Sequence, residues 1–403
     1  MLLKNLMKSL VIALIAMFSA CSEDWELAHV TVRETHGLER KKEYVEVFFP
    51  LKERTPVPAQ ICMIFGSDEG HVPVQFRVLP ENPGIIQVVF PVSLPPHGLR
   101  HVSLLPCNDE THSLSGSLIV TGDAPGLLIE NPYFIADLGT KTDVPENNYP
   151  PGHLTALTLK ALDSLRIQRS GMKIHWSPNF AKQEVPYQTM AHMEAEHIDI
   201  FQGKYMVRLE KSGKVPSYEE IGLKGAYTFY DSLPYFIFTS EMEILQTVTL
   251  NLLRNDEMTI DSMFTDLAFR REAGEVKHLP LYESRTFAYL DSQHIEANAP
   301  WLYFYNRDKH FAMGSIRLDY DNTQAEGTPA PLYEAHTKIT PSAANGRYWN
   351  RRLIHDHDTE VPAGSRYFEK NAYVIFQYNE AASDTFMNNL YERLLYPLQL
   401  EVK

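Results

Sequence analysis

Short runs of β-branched and aromatic residues, separated at close intervals by prolines, constrain the fold of this chain more than any other feature. Between residue 28 and about residue 121, such runs alternate with turn residues. Valine, isoleucine, tyrosine and phenylalanine favour strands, and proline borders or ends them. Three of the runs are His29–Val32, Tyr44–Phe49 and Ile85–Phe90. The pattern and its length of about 90 residues predict a small β-sandwich.

A second, longer series of strand-like runs follows a turn at residues 121–126. Its clearest members are Ala226–Tyr230, Tyr235–Ile244, Leu302–Tyr305 and Tyr373–Tyr378. In the stretch 384–395 the apolar residues recur near helical spacing, which predicts a helix there. With 403 residues, of which 44% are hydrophobic, the chain can bury a large core. We predict an all-β protein with an Ig-like sandwich at 21–122 and a large β-sandwich catalytic domain at 123–403.

The first residues have the features of a secretory signal. A lysine-containing segment precedes the apolar run Leu10–Phe18, and small residues then lead to Cys21. The run is too short to span a bilayer. Ser19–Cys21 resembles the lipobox of bacterial lipoproteins, and Ser22–Asp24 resembles the surface-export signals of Bacteroidota lipoproteins. The resemblance implies removal of residues 1–20, lipidation of Cys21 and a lipid-anchored, surface-exposed protein of the outer membrane. The alternative is a plain signal peptide with a chance cysteine.

Charge and cysteine content limit the partners and the compartment. The net charge of −14 argues against nonspecific nucleic-acid binding, while basic residues that cluster locally can still bind an acidic glycan. If Cys21 carries lipid, two of the three cysteines remain, Cys62 and Cys107. These two can pair in an oxidising compartment, but the sequence leaves their pairing open.

Two stretches and the domain layout connect the chain with a known group of proteins. The stretches are Ile129–Phe134 and Gly225–Tyr235. With the layout, they resemble Bacteroidota carbohydrate-utilisation lipoproteins that carry a small N-terminal sandwich and a large galactose-mutarotase-like β-super-sandwich. Several such proteins are polysaccharide lyases, including surface enzymes that cleave chondroitin-type glycosaminoglycans. The resemblance implies β-elimination on a uronic-acid-containing polysaccharide. Because fold does not determine function, a glycoside hydrolase and a non-catalytic glycan-binding lipoprotein stay as alternatives.

Residues 173–208 supply side-chain types that elimination chemistry needs. The reaction removes a proton beside a uronate carboxylate, whose charge a cation or donor must offset, and His or Tyr then moves protons. We expect His175 to act as base or charge neutraliser, with His197 as a further catalytic candidate. The predicted substrate contacts here are Trp176, Asn179, Tyr187 and Arg208. The alternatives are buried, hydrogen-bonded histidines, or a hydrolase that uses two carboxylates among Glu194, Glu196 and Asp199.

The stretch Trp301–Arg307 predicts a strand with an aromatic face. In a strand, Trp301, Tyr303 and Tyr305 lie on one side because side chains alternate. Such a face suits a sugar ring, since it offers apolar surface and hydroxyl groups. We expect Trp301 to bind substrate, Tyr303 or Tyr305 to transfer a proton, and Tyr303 to share a cleft with His175. The alternative is ordinary sandwich packing.

A third region groups basic and aromatic residues after a glycine turn. Its members Arg347, Tyr348, Arg351 and Arg352 are predicted to bind substrate, because arginine binds carboxylate or sulfate with two parallel donors. The alternative is a solvated basic loop. The neighbouring stretch His355–Asp358 offers metal-ligand types without zinc-site spacing, so we predict no metal site and leave cofactors unknown.

Overall fold

The computed structural model describes residues 26–52, 56–65, 70–107, 114–139, 149–162, 164–169, 172–342 and 346–403. The predicted signal segment and Cys21 lie outside these residues. Within them the secondary structure is mainly antiparallel strand, which confirms the predicted all-β class. The chain divides into two compact units, one that runs to Ser115 and includes Leu398–Lys403, and one that spans Gly116–Pro397.

The first unit is the small β-sandwich that the strand pattern predicts. Its sheets have the strand orders β28-β1-β7-β3-β4 and β2-β6-β5. The strands are β1 (Ala28–Arg33), β2 (Arg40–Pro50), β3 (Ile61–Ile64), β4 (Val72–Pro73), β5 (Gln75–Leu79), β6 (Asn82–Leu94), β7 (Leu99–Pro106) and β28 (Gln399–Val402). Both sheets contribute to one apolar core, for example through Val30 and Phe90. Alternate side chains of β1 are buried, as a sheet with one face on a core requires.

Strand β28, from the C terminus, joins the first unit rather than the second. It pairs antiparallel with β1, so that Val402 lies opposite Val30 and Gln399 opposite Arg33. The first unit ends at Ser115, whereas the predicted boundary follows residue 122. Residues 398–403, which were predicted to belong to the large domain, belong to the first unit. All residues of β28 are exposed, so no burial pattern marks this strand in the sequence.

A disulfide joins Cys62 to Cys107 in the first unit. The two cysteines are separated by 45 positions, and cross-linking a loop of that size lowers the entropy of the unfolded chain. Replacing Cys62 by alanine is expected to reduce the free energy of unfolding of this unit by about 4 kcal/mol. Chemical denaturation of the variant and of the oxidised and reduced parent measures this. Equal midpoints for the oxidised and reduced parent would contradict the expectation.

The described residues of the second unit form three sheets. The five-stranded sheet has the order β12-β11-β10-β9-β8, with β8 (Ile119–Asp123), β9 (Gly126–Glu130), β10 (Phe134–Asp137), β11 (Ala156–Leu159) and β12 (Leu165–Gln168). The six-stranded sheet has the order β14-β13-β19-β26-β25-β22, with β13 (Asn179–Ala181), β14 (Gln188–Thr189), β19 (Val248–Thr259), β22 (Ile295–Glu296), β25 (His336–Pro341) and β26 (Arg347–Val361).

The nine-stranded sheet is the largest and has the order β15-β16-β17-β18-β27-β24-β23-β20-β21. Its strands are β15 (Glu194–Gln202), β16 (Met206–Lys214), β17 (Ile221–Tyr230), β18 (Tyr235–Ile244), β20 (Asp266–Arg270), β21 (Val276–Pro280), β23 (Trp301–Asn306), β24 (Phe311–Thr323) and β27 (Arg366–Gln377). It packs on both other sheets through one continuous apolar core. Phe304 meets Trp349 of the six-stranded sheet at 4.9 Å between ring centres. The predicted large β-sandwich is therefore present.

Helical structure is sparse. Two α-helices, Ser284–Ser292 and Ser383–Leu395, and one short 3₁₀ turn, Met190–His192, occur in the described residues. The second helix matches the one predicted at 384–395 and covers the outer face of the nine-stranded sheet, where Phe386 packs on Phe376. Across the described stretches, no helix is long and apolar enough to cross a membrane.

Candidate functional site

Two segments of the second unit run side by side and send alternate side chains in opposite directions. The Thr259 N–H donates to the Ile174 carbonyl at 2.7 Å, and the Trp176 N–H donates to the Glu257 carbonyl at 3.3 Å. Successive side chains of extended backbone point to opposite sides. His175 consequently points into the core between the sheets, whereas Trp176 points to an open cleft.

Strand β19, which contains a bulge, supplies two of the charged residues of this cleft, Arg254 and Glu257. Asp256 and Glu257 of β19 together face the single residue Asn350 of β26. Such a bulge bends a strand and re-aims its side chains. Asp256 adopts a left-handed φ of 45°, a conformation that aspartate tolerates better than most residues. Its carboxylate is buried, while Arg254 and Glu257 line the cleft.

The cleft has a volume of about 440 Å³, and we call it the aromatic cleft. Aromatic and charged side chains dominate its walls. The lining residues are Tyr149, Trp176, Tyr187 and Tyr348, with Arg169, His192, Arg254 and Glu257, and with Met172, Thr259, Pro341 and Ser342. The sequence-predicted residues that meet here are Trp176, Tyr187 and Tyr348.

The aromatic rings form a connected wall. The Tyr149 ring packs edge-on against two other rings. Its centre lies 5.3 Å from the centre of the Trp176 ring and 4.8 Å from the centre of the His192 ring. The Arg169 guanidinium lies 5.6 Å from the centre of the Trp176 ring, within cation–π range. Flat apolar surface beside a fixed positive charge is a combination that suits a sugar ring with an acidic substituent.

Glu257 and Arg254 form a nearly buried ion pair in the wall of the cleft. Their charged atoms are 3.6 Å apart, and the Glu257 side chain is 5% exposed. Burial raises the pKa of Glu257, although Arg254 and the Asn179 amide act against that rise. Burial lowers the pKa of Arg254, but Glu257 and the tyrosines Tyr187 and Tyr348 outweigh it and hold this pKa above its usual value. The site therefore combines a permanent cation with a carboxyl whose affinity for protons is increased.

Two other groups at the cleft, the Tyr187 phenol and the neutral His192 ring, each carry one proton at neutral pH. Tyr187 is 41% exposed, and its phenol, with a usual pKa of about 10, is protonated at neutral pH. Burial lowers the pKa of His192, so its ring is neutral. The Thr189 N–H donates to His192 Nδ1 at 3.1 Å, which leaves the ring proton on Nε2.

His175 lies in the core rather than in the aromatic cleft. It is fully buried, its Nδ1 accepts from the Tyr227 hydroxyl at 2.6 Å, and its Nε2 contacts the Tyr373 hydroxyl at 3.0 Å. Burial lowers its pKa to about 3, so the ring is neutral. A general base must reach the proton that it removes. His175 therefore cannot act as a base in the aromatic cleft.

The predicted aromatic face exists but is covered. The Tyr303 hydroxyl donates to Asp384 at 2.6 Å and the Trp301 indole donates to Asn388 at 3.0 Å, both in the helix Ser383–Leu395. Tyr305 stacks on Tyr378. All three aromatic residues are fully buried on the outer side of the nine-stranded sheet, whereas His175 lies on its inner side. The prediction that His175 and Tyr303 share a cleft is therefore wrong, because they lie on opposite sides of the sheet. The helix covers the aromatic face that was predicted to bind a sugar ring.

The arginine group is dispersed because it lies in strand β26, not in a loop. Alternation separates Tyr348 and Arg352 from the inward residue Arg351. Arg351 is buried and donates to the Ala297 carbonyl at 2.7 Å. Arg352 donates to Asn350 at 3.0 Å, and Arg347 lies over the rings of Tyr282 and Phe287. Of the predicted basic group, Tyr348 alone lines the aromatic cleft.

The remaining candidates lie elsewhere. Asn179 is fully buried behind Glu257, and Arg208 donates to Thr228 at 3.2 Å on β17. His197 is exposed on the edge strand β15. That strand also carries the carboxylates weighed for a hydrolase, Glu194, Glu196 and Asp199. None of these residues is among the described lining of the aromatic cleft.

The histidine-rich stretch is engaged in other contacts. Arg352 contacts the His355 ring, and His357 stacks on Tyr333 with 3.8 Å between ring centres. In the part of the chain that the structure describes, no group of at least three His, Cys, Asp or Glu side chains is arranged to hold a metal ion.

The lining residues that sequence reasoning missed include Tyr149, Arg169, Arg254 and Glu257. One signal for the last two was present. Arg254–Glu257 is a polar tetrapeptide inside an otherwise strand-like stretch, and an interrupted alternation of this kind indicates a bulge. Tyr149 and Arg169 carry no local signal, because distant parts of the chain bring them to the cleft.

Comparison with solved structures shows what fold the chain shares. A glycosyl hydrolase family 38 protein from Enterococcus faecalis is similar at 12% identity and a TM-score of 0.55, over 93% of this chain and 47% of that one. An alpha-mannosidase from Enterococcus faecalis V583 is similar at 13% identity and a TM-score of 0.57, over 93% and 46%. The chain thus spans less than half the length of either protein.

A galactose mutarotase-like protein from Lactobacillus casei ATCC 334 is similar at 10% identity and a TM-score of 0.36, over 64% of this chain and 100% of that one. That likeness is too weak to support a conclusion. No protein family and no curated protein matches the sequence. At these identities the similarities show a common fold alone, and a shared fold does not determine function.

Proposed function

We propose that the protein binds an acidic polysaccharide in the aromatic cleft and cleaves it by β-elimination beside a uronate carboxylate. One observation carries the proposal: a single open cleft joins four aromatic side chains, two guanidinium groups and a nearly buried glutamate. Aromatic rings bind the faces of sugars, and arginine binds carboxylate or sulfate with paired donors. The fold shared with a glycosyl hydrolase family 38 protein and an alpha-mannosidase supports a role in carbohydrate processing.

The lining residues divide the reaction between them. Arg169 and Arg254 bind the uronate carboxylate, and their charge stabilises the anion that forms when the neighbouring carbon loses its proton. Glu257 takes that proton, and its raised pKa makes it a stronger base than an ordinary carboxylate. The C–O bond then breaks, a C=C bond forms, and Tyr187 protonates the departing oxygen. The products are an unsaturated uronate and a new chain end.

Hydrolysis is less compatible with this site. Glycoside hydrolases with the usual mechanism place two carboxyl groups about 5–9 Å apart on either side of the bond. Within the described lining of the aromatic cleft, Glu257 is the sole carboxyl group. A single carboxyl with increased proton affinity suits proton abstraction better than a displacement that needs a second one.

A screen of uronate-containing polysaccharides tests the proposal. Chondroitin-type glycosaminoglycans and plant uronans are incubated with the protein, with a neutral polysaccharide as the control. We expect the ultraviolet absorbance of an unsaturated uronate to rise along with new reducing ends. Reducing ends without that absorbance would assign hydrolysis. Binding of a polysaccharide without ultraviolet absorbance and without new reducing ends would show that the protein is a non-catalytic glycan-binding protein.

The location of the protein is a separate proposal. We propose that Cys21, which lies outside the described residues, carries lipid and anchors the protein to the outer membrane, facing outward. Two or more acyl chains give stable anchoring, whereas one chain binds reversibly. Cys21→Ala is expected to abolish incorporation of labelled palmitate. The variant should either be released from the membrane or keep its signal segment uncleaved. Equal labelling of the variant and the parent would refute the anchor.

A further inference from the structure

The carboxylate of Glu369 connects the two chain segments that form the aromatic cleft. Glu369 lies in β27 on the inner side of the nine-stranded sheet and is fully buried. It accepts hydrogen bonds from Ser177 Oγ at 2.6 Å, Ser240 Oγ at 2.8 Å, the Asp256 backbone N–H at 2.8 Å and Asn371 Nδ2 at 2.7 Å. Four donors around one carboxylate hold it in a single orientation.

Two of these donors directly adjoin residues of the cleft. Ser177 follows Trp176, and Asp256 precedes Glu257. One oxygen of Glu369 accepts from Ser177 and the other accepts from Asp256, so the side chain bridges both segments. Ser240, in contrast, belongs to β18 and lies in neither cleft segment.

The bulge needs such support. Asp256 has a left-handed backbone in the middle of a strand, where ladder hydrogen bonds are interrupted. Its carboxylate is held from the core side by the Arg317 guanidinium at 2.8 Å, the Trp349 indole at 3.1 Å and the Tyr373 hydroxyl at 3.2 Å. Glu369 adds the contact to the backbone, and this contact fixes the Asn255–Asp256 peptide, one residue before Glu257.

We propose that Glu369 is a positioning residue that holds Trp176 and Glu257 in register across the aromatic cleft. It does not contact substrate and acts through Ser177 and the Asp256 backbone. Only the expected effect on turnover rests on the proposed function. The link between the two segments can be measured without any substrate, because the Trp176 N–H donates to the Glu257 carbonyl.

A matched pair of variants tests the inference. Ser177→Ala and Ser240→Ala each remove one hydroxyl donor from the same oxygen of Glu369, and only Ser177 belongs to a cleft segment. Loss of one hydrogen bond corresponds to about a tenfold change in a local opening equilibrium. Amide hydrogen exchange at Trp176 and Asp256, whose N–H groups donate to the Glu257 carbonyl and to Glu369, is the first measurement. We expect about tenfold faster exchange there in Ser177→Ala and parental exchange in Ser240→Ala.

Turnover of a uronate polysaccharide is the second measurement. We expect Ser177→Ala and Glu369→Gln to lower kcat more than they change KM, because a misaligned Glu257 removes the proton from the substrate less effectively. Equal amide exchange at the cleft in the two serine variants overturns the inference, whatever the polysaccharide screen shows. Faster exchange in Ser177→Ala together with no turnover by the parent leaves the positioning role intact and refutes the proposed reaction instead.

Discussion

Replacing Lys211 by methionine is expected to raise the free energy of unfolding at pH 7 by several kcal/mol. Lys211 lies in β16 with 3% of its surface exposed, and its Nζ has no hydrogen-bond partner among the described residues. Burial, and then the charge of Lys173, lower its pKa from 10.5 to about 7. Each pKa unit corresponds to about 1.4 kcal/mol. Methionine is of similar length and fits an apolar interior.

The pH dependence has a definite sign. Above pH 10.5 Lys211 is neutral in both states, so it carries no electrostatic penalty. As the pH falls towards 7, the unfolded chain binds a proton that the folded protein does not bind, and stability decreases. The penalty is complete below about pH 7, where both states are protonated. The difference in unfolding free energy between Lys211→Met and the parent should therefore shrink steadily from pH 7 to pH 10.

Lys214→Met serves as the matched control. Lys214 lies on the same strand, its side chain is 40% exposed and it pairs with Glu219 at 3.8 Å. Surface substitutions of this kind change stability by about 0.5 kcal/mol or less. Urea denaturation at several pH values compares the three proteins. A Lys211→Met variant that is less stable than the parent at pH 7 would show that the ammonium group is charged and paired in the folded protein.

Glu257→Gln is expected to lower turnover of a uronate polysaccharide by about 10²–10⁴-fold, the usual contribution of a general base. The substitution keeps the size of the side chain and removes its capacity to accept the proton. KM should change little, because substrate contacts come mainly from the aromatic rings and from Arg169 and Arg254. Arg254→Met is expected to raise KM as well, since it removes a cation that binds the substrate carboxylate.

Two tyrosine variants separate the aromatic cleft from the covered face. Tyr187→Phe and Tyr303→Phe delete the same atom, but Tyr187 lines the cleft and Tyr303 donates to Asp384 beneath a helix. Tyr187→Phe should reduce kcat, while Tyr303→Phe should keep near-parental turnover with some loss of stability. Initial rates of unsaturated-uronate formation decide. A large loss of kcat in Tyr303→Phe with a parental rate in Tyr187→Phe would move the reaction away from the aromatic cleft.

Local patterns predicted the individual elements because strand and helix periodicity is encoded over a few residues. The run Tyr373–Tyr378 overlaps the observed β27, and the helix predicted at 384–395 is observed at Ser383–Leu395. The same patterns predicted Trp176, Tyr187 and Tyr348 as site residues through their chemical type. They did not predict which face of a strand a helix covers, and Tyr303 and Tyr305 were misassigned for that reason.

The sequence by itself determined the all-β class, the small first sandwich and the large second one, since alternating apolar residues and proline breaks act over short distances. Only the tertiary structure decided where the site lies. Arg254 and Glu257 reach the aromatic cleft through a bulge that Glu369 supports from another sheet, 113 positions away from Asp256 in the chain. Contacts over such separations depend on how the sheets pack, and no local pattern of residues specifies that packing.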